Sequence, residues 1–507
     1  MSRLYGHIVV LCAAVIGTTL AAQTAPARQS PSHLEIPQTW DDAAWDGFEV
    51  PLPAKDFSPK HVPRDYYERI PVRPIYQGFP VYAVDREPAG YFDRLKTQPS
   101  SILWDDSHRP PLETTADWIA AGRLVFEAAI FYDGVASADD VRTSEWYRRV
   151  RPPLTSEGVL PFTTYVVRER GKVELGNNAC AFCHTRLQPD GTLIRGAQGN
   201  FPFDRAVAFS TGRGTLSDAR TLFRSLFGAP WLGDRDPAVR VKTMPMAEML
   251  ARWDAVPPGV IGRHRASVDS PPAVPDLIGI KDRKYLDKSG LVVHRGIGDL
   301  MRYASLNNEL DFMSSFGGFI PSGIDFKTLP PPEDPLVEGR YSDEQLYALA
   351  LYLYSLTPPP NPNRADATSA AGERVFRREG CATCHTPPLY TNNKRVPAPG
   401  FDPPRDAEDV LRIRVGTDPT LTLFTRRGTG FYKVPSLRGI WYRGPLEHNG
   451  SIASLEDWFD RRRLSDDYVP TGWIGYGVTK RAVKGHEFGL RLDPSDKAAL
   501  IAFLRTL

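Results

Sequence analysis

Two pentapeptides constrain this chain more than any other feature: Cys180-Ala-Phe-Cys183-His184 and Cys381-Ala-Thr-Cys384-His385. C-x-x-C-H is the attachment motif of c-type haem, in which two thiols bond the porphyrin vinyls and the adjacent imidazole sits beneath the iron. The sequence holds five cysteines, and the fifth, Cys12, falls in an N-terminal apolar run. A zinc site could use four thiolates but has no need of a His after each pair. A thioredoxin-like redox pair requires a βαβ context, which neither flank shows. A disulfide across a two-residue loop is strained. Two covalently attached c-type haems are the expected cofactors, held by Cys180, Cys183, Cys381 and Cys384, with His184 and His385 as proximal iron ligands.

The first 22 residues read as a signal peptide rather than as fold. Arg3 gives a short basic region, Ile8 to Ile16 an apolar one, and Leu20-Ala21-Ala22 a small-residue cleavage zone. An uncleaved anchor is the alternative. Leu11 is too bulky for the position before a lipid-bearing cysteine. No other run reaches about 18 apolar residues, so the mature chain is expected in the periplasm without a membrane span. Lys and Arg number 62 against 60 Asp and Glu, a balance that leaves no electrostatic footprint for nucleic acid or a membrane surface. With 41% hydrophobic and 24% charged residues, the composition excludes wholesale disorder and collagen.

The two motifs sit in similar surroundings, as in a duplicated unit. Ala370 to Arg378 reads as a helix leading into the second motif, and Ala116 to Phe131 as its counterpart ahead of the first, with an insertion between. Ser342-Asp-Glu-Gln345 is a capping box opening an apolar helix that closes the first unit. Ser495 opens a similar helix at the C-terminus. Leading helix, haem motif, long loops and closing helix are the parts of a cytochrome c domain. The expected fold is therefore mainly α: a first haem domain over 116–356, a Pro-rich linker at 357–363, and a second haem domain over 364–507. Residues 23–115 mix frequent Pro with aromatic residues from Trp40 to Trp104, and read as an extended arm wrapped over the haem domains.

From 116 to 507 the chain resembles the bacterial di-haem cytochrome c peroxidase superfamily, MauG-type enzymes and rubber oxygenases included. The resemblance is carried by Gly380-Cys-Ala-Thr-Cys-His-Thr-Pro-Pro388, Tyr432-Lys-Val-Pro-Ser-Leu-Arg438, Gly444-Pro-Leu-Glu-His-Asn-Gly450 and Ser454-Leu-Glu-Asp-Trp458. In the first unit Ser270-Pro-Pro-Ala-Val274 is similar to the Ser/Thr-Pro segment that follows the first haem. Where peroxidases place a Met, and MauG-type proteins a Tyr, as sixth ligand, this chain has Arg461-Arg462-Arg463, which cannot ligate iron. Lys284-Tyr285-Leu286-Asp287 stands where a Trp often lies between the haems. The spacing between motifs is closer to the rubber-oxygenase branch.

The resemblance implies an enzyme with one haem open to peroxide or O2 and one relaying electrons. The five methionines beyond Met1 all lie between Met244 and Met313, so the second haem is expected to take a His as sixth ligand. His486, on a glycine-flanked loop before the closing helix, is the first candidate. His448 is the second, with a role orienting a propionate as its alternative. His264 stands where the family carries a displaceable His at the first haem, and His294 is the other choice there. Glu309 follows the resembling segment at the remove expected of an acid/base. Tyr285 and Tyr303 are candidates for carrying electrons or radicals. A small oxidant and an electron-donor protein are the expected partners. The alternatives are an oxygenase with an apolar pocket of Phe312, Met313, Phe316 and Phe319, and a non-catalytic di-haem electron carrier.

Overall fold

Five helices frame the region around the cysteines: α1 (Thr115–Glu127), α2 (Ile297–Asn308), α3 (Asp343–Ser355), α4 (Ala367–Arg378) and α5 (Pro494–Arg505). Reciprocal capping boxes start three of them: Thr114 with Asp117, Ser342 with Gln345, and Asp366 with Ser369. Each satisfies two N–H groups that an open helix end leaves without partners. The computed structural model describes residues 35–214, 225–262, 266–267, 269–308, 311–323 and 339–507. The expected leader at 1–22, His264 and Glu309 lie outside them.

The helices pair as α1 on α3 and α4 on α5, and the two crossings are built alike. A Cβ on Gly122 would stand 1.9 Å from the carbonyl oxygen of Ala348, and one on Gly372 would stand 1.9 Å from that of Ala499. Four residues beyond each glycine comes Phe126 or Phe376, and four beyond each alanine comes Tyr352 or Phe503. Their rings meet at 5.2 and 5.4 Å. Spacing of four puts such residues one turn further along the same face, so each joint is a close backbone crossing bolted by an aromatic pair. The duplication read from the sequence is present at this joint.

The mainly α expectation is corrected: 34% of the structure is helical and 14% is strand, in several small sheets. The largest contains β1 (Gly78–Tyr82), β2 (Phe131–Tyr132), β3 (Val159–Glu169) and β4 (Lys172–Asn177), in the order β1-β3-β4-β2. β3 reads Val-Leu-Pro-Phe-Thr-Thr-Tyr-Val-Val, a run of β-branched and aromatic residues that favours a pleated, half-buried surface. β4 ends three residues before Cys180, so the insertion delivers the first motif from an interior strand of the sheet rather than from a helix. Buried Asn177 fixes that end, its side chain bonding both the N–H and the carbonyl of Ala136.

The N-terminal segment is likewise not an extended arm. It supplies β1, and Pro59–His61 pairs antiparallel with Ser314–Phe316. Trp40, Phe48, Tyr66, Tyr67 and Trp104 enter the main core. Trp40 stacks on Tyr67 at 4.2 Å and donates its indole N–H to Val62 O at 2.6 Å. Large rings with polar tips need both apolar contact and a partner, and pairing with later strands provides both. Ile36 to Leu507 forms one compact unit. Among the described residues no helix is long and apolar enough to cross a membrane.

Candidate haem centres

Each C-x-x-C-H folds as one tight turn. The backbone N–H of His184 donates to Cys180 O at 2.9 Å, and that of His385 to Cys381 O at 2.9 Å. The four cysteines of the two motifs form no disulfide. The pairs line two different cavities, so the four sulfurs are not gathered for one zinc ion. Both motif histidines are oriented in the same way. His184 donates Nδ1–H to Pro275 O at 3.0 Å, and His385 donates Nδ1–H to Pro435 O at 3.1 Å and Tyr390 O at 3.2 Å. A carbonyl only accepts, so Nδ1 carries the proton and Nε2 the lone pair, the tautomer a metal ligand requires.

The second motif borders a cavity of 330 Å³ lined by Phe376, Val434, Trp458, Phe459, Leu500 and Leu504 beside Cys381, Cys384 and His385. His486 lines the same cavity, its ring centroid 6.3 Å from that of His385. Two imidazole nitrogens, each about 2 Å from one shared metal ion, put their ring centroids about 6 Å apart. His486 also carries a buried ring nitrogen without a hydrogen-bond partner among the described residues. Burial lowers both imidazoles to about 4, which keeps them neutral, as ligands must be. Residues and spacing fit a haem iron held from both faces.

His486 is held in place by a residue the sequence did not single out. Arg463 is 1% exposed. It donates to the carbonyl oxygens of His486 at 2.8 Å, Gly485 at 2.9 Å, Val483 at 2.6 Å and Trp458 at 2.9 Å. The Arg run that cannot ligate iron thus anchors the loop that brings the opposed imidazole.

The first motif borders a cavity of 230 Å³, walled by Leu300, Tyr303, Ala304 and Asn307 of α2, by Leu349 and Leu353 of α3, and by Leu421, Thr425 and Arg427. Among the described lining residues His184 is the sole histidine, and there is no methionine. Ala273, Val274 and Pro275 line both cavities, so the segment whose carbonyl orients His184 is also a wall of the second site.

No family model matches this chain, and no curated protein does. Solved structures that resemble it in part include these two. Hydrazine synthase of Kuenenia stuttgartiensis, pressurised with xenon, is 15% identical with a TM-score of 0.28, over 50% of this chain and 79% of that one. A MauG-like protein associated with microbial copper homeostasis is 16% identical with a TM-score of 0.30, over 57% of this chain and 88% of that one. Likeness at this level establishes neither fold nor activity for this chain.

His448 lines the second cavity, but its ring packs on Tyr432 at 4.8 Å, and the ring opposed to His385 is that of His486. Glu447 lies against His448 and accepts from the Thr417 hydroxyl. Burial alone would raise the Glu447 carboxyl, but the His448 ring and N–H and the Thr417 hydroxyl bring it down to about 2. Tyr285 lines only the second cavity. Its hydroxyl donates to Asp409 at 3.3 Å, and burial pushes it up to about 12. His294 lies outside both cavities, its ring bonded to Arg283 O at 2.8 Å and the Tyr354 hydroxyl at 2.6 Å. Phe312, Met313, Phe316 and Phe319 line neither cavity; Phe316 stacks on Trp231 at 6.1 Å instead.

Proposed function

We propose that this chain is an exported, periplasmic di-haem c-type cytochrome with peroxidase-like oxidoreductase activity. A haem bound at each motif supplies a redox-active iron. Cys381 and Cys384 would attach the second group, and His385 and His486 would hold its iron. Held by two imidazoles, that centre would be suited to relaying electrons from a donor protein. Cys180, Cys183 and His184 hold the first group, beside a wall on which Tyr303 and Asn307 supply hydrogen-bonding side chains. A small oxidant, peroxide or O2, is bound there. Reduction of one hydrogen peroxide to two waters takes two electrons from the donor and two protons from solvent. Glu309, next in sequence to the last residue of α2, is the proposed proton carrier. Tyr285, at the second cavity, is the proposed electron carrier on that side.

The observation that carries this reading is the contrast between the cavities: two opposed imidazoles in one, and a single described imidazole in the other. The test is electron paramagnetic resonance of the ferric holoprotein, with peroxide consumption followed in the presence of a reduced donor. The expected result is one low-spin and one high-spin centre with turnover, and conversion of the low-spin centre to high spin in His486→Ala. Two low-spin centres inert to peroxide would instead identify an electron carrier.

A further inference from the structure

Four residues line both cavities, and Lys288 alone among them is charged. It sits in a turn fixed by its neighbours. The Asp287 carboxylate accepts from Ser289 N at 3.2 Å, Ser289 Oγ at 2.5 Å and Val292 N at 2.8 Å, and the Lys288 carbonyl accepts from Lys433 N at 3.0 Å. Asp287 is therefore committed to the turn rather than to the lysine. Among the described residues no carboxylate lies within ion-pair distance of the Lys288 amine. The other cations of the second cavity spend donors on backbone carbonyls: Lys433 on Tyr285 at 2.9 Å, Arg283 on Ile278 at 2.8 Å and Arg443 on Ser436 at 2.8 Å. The nearby acids are also committed, Glu447 to Thr417 and His448, and Asp276 to the Tyr442 hydroxyl at 3.1 Å. Lys288 is half-buried; an ammonium drawn partly out of water without an anion is costly, and burial brings this amine down to about 8.

We infer that Lys288 is a carboxylate-binding residue shared by the two centres, receiving a propionate carboxylate from each haem. The inference rests on the di-haem reading above and adds what joins the two sites: one lysine that lines both. A cation beside each propionate favours the reduced, less positive iron, so its removal lowers both midpoint potentials.

The test is potentiometric titration of holoprotein carrying Lys288→Met, with Lys288→Gln as a second charge-free variant and Lys288→Arg as the charge-preserving one. Haem is counted first from the pyridine haemochrome spectrum. Two haems per chain, with the reduction equilibrium of both centres weakened about tenfold in the charge-free variants, or about 59 mV for a one-electron couple, and with K288R close to the unaltered protein, is the expected result. Two haems with a shift at one centre only, or at neither, overturns the role of Lys288 while leaving the di-haem reading intact. An unaltered protein without covalent haem overturns both.

Discussion

Two residues of the second centre hold backbone conformations that side chains other than glycine rarely adopt: φ is 72° at Glu447 and 48° at His486. Such positions cost on the order of 1–3 kcal/mol each and persist where the surroundings over-determine them. At His486 the surroundings are the four carbonyl bonds of Arg463. At Glu447 they are Thr417 and the His448 N–H. Glu447 also sets a pH dependence. Its carboxyl titrates near 2 in the fold against an ordinary 4.5, so the unfolded chain binds the proton more readily. The stability it contributes is complete above about pH 4.5 and is lost as pH falls toward 2. Glu447→Gln is expected to lower the denaturation midpoint at neutral pH and to flatten its fall between pH 5 and 2, read from urea unfolding at stepped pH; an unchanged acid limb would contradict it. At this scale the cysteine pairs and His486 stood out in the sequence, because ligand chemistry restricts residue type, and His486 does line the cavity of the second motif. Arg463 was not, because nothing in an Arg run shows that one guanidinium will turn inward to bind carbonyls from a loop some twenty residues on.

At the scale of elements, the four helices were legible from apolar spacing, with the capping box at Ser342 marking the start of one, and the joint that pairs them can be tested directly. In an isolated helix Gly→Ala is stabilising by about 1 kcal/mol. At Gly372 the new methyl would meet the Ala499 carbonyl, forcing α4 and α5 apart. Overpacking of this kind costs about 1–3 kcal/mol, so Gly372→Ala is expected to lower the melting temperature despite its helical preference, with Gly122→Ala doing the same. Circular dichroism melts check both, and a stabilised variant would refute the joint. The sheet was missed for a physical reason. β3 and β4 are neighbours in the chain, but β1 lies far ahead of β3, and in a separate small sheet the strand opposite Pro59–His61 begins at Ser314. Local pattern carries propensity but not partner. The aromatic residues before Trp104 announced burial, and only the pairing shows where.

At the scale of the whole molecule, three distant stretches meet in one buried ion cluster. Arg427 donates to Asp311 at 2.8 and 3.1 Å and to Glu49, while Arg426 lies 3.5 Å from Asp311. Both Asp311 and Arg426 are fully buried. Glu49 is in turn 3.2 Å from His61. Removing one partner leaves guanidinium charge uncompensated in the interior, which costs about 3–5 kcal/mol. Asp311→Asn, which keeps the shape and a residue type tolerant of the φ of 68° there, is expected to lose that amount in urea unfolding of the holoprotein. A loss below 1 kcal/mol would mean that the cluster does not hold these stretches together.

The glycine joints also dictate an order of events during biosynthesis. A chain made from its N-terminus exposes Gly122, then Cys180 and Cys183, long before Ala348 exists to receive Gly122. It exposes Gly372 and the second cysteine pair before Ala499 does the same there. Each joint is a latch that can shut only after its own thiols have been presented, once for each half of the chain.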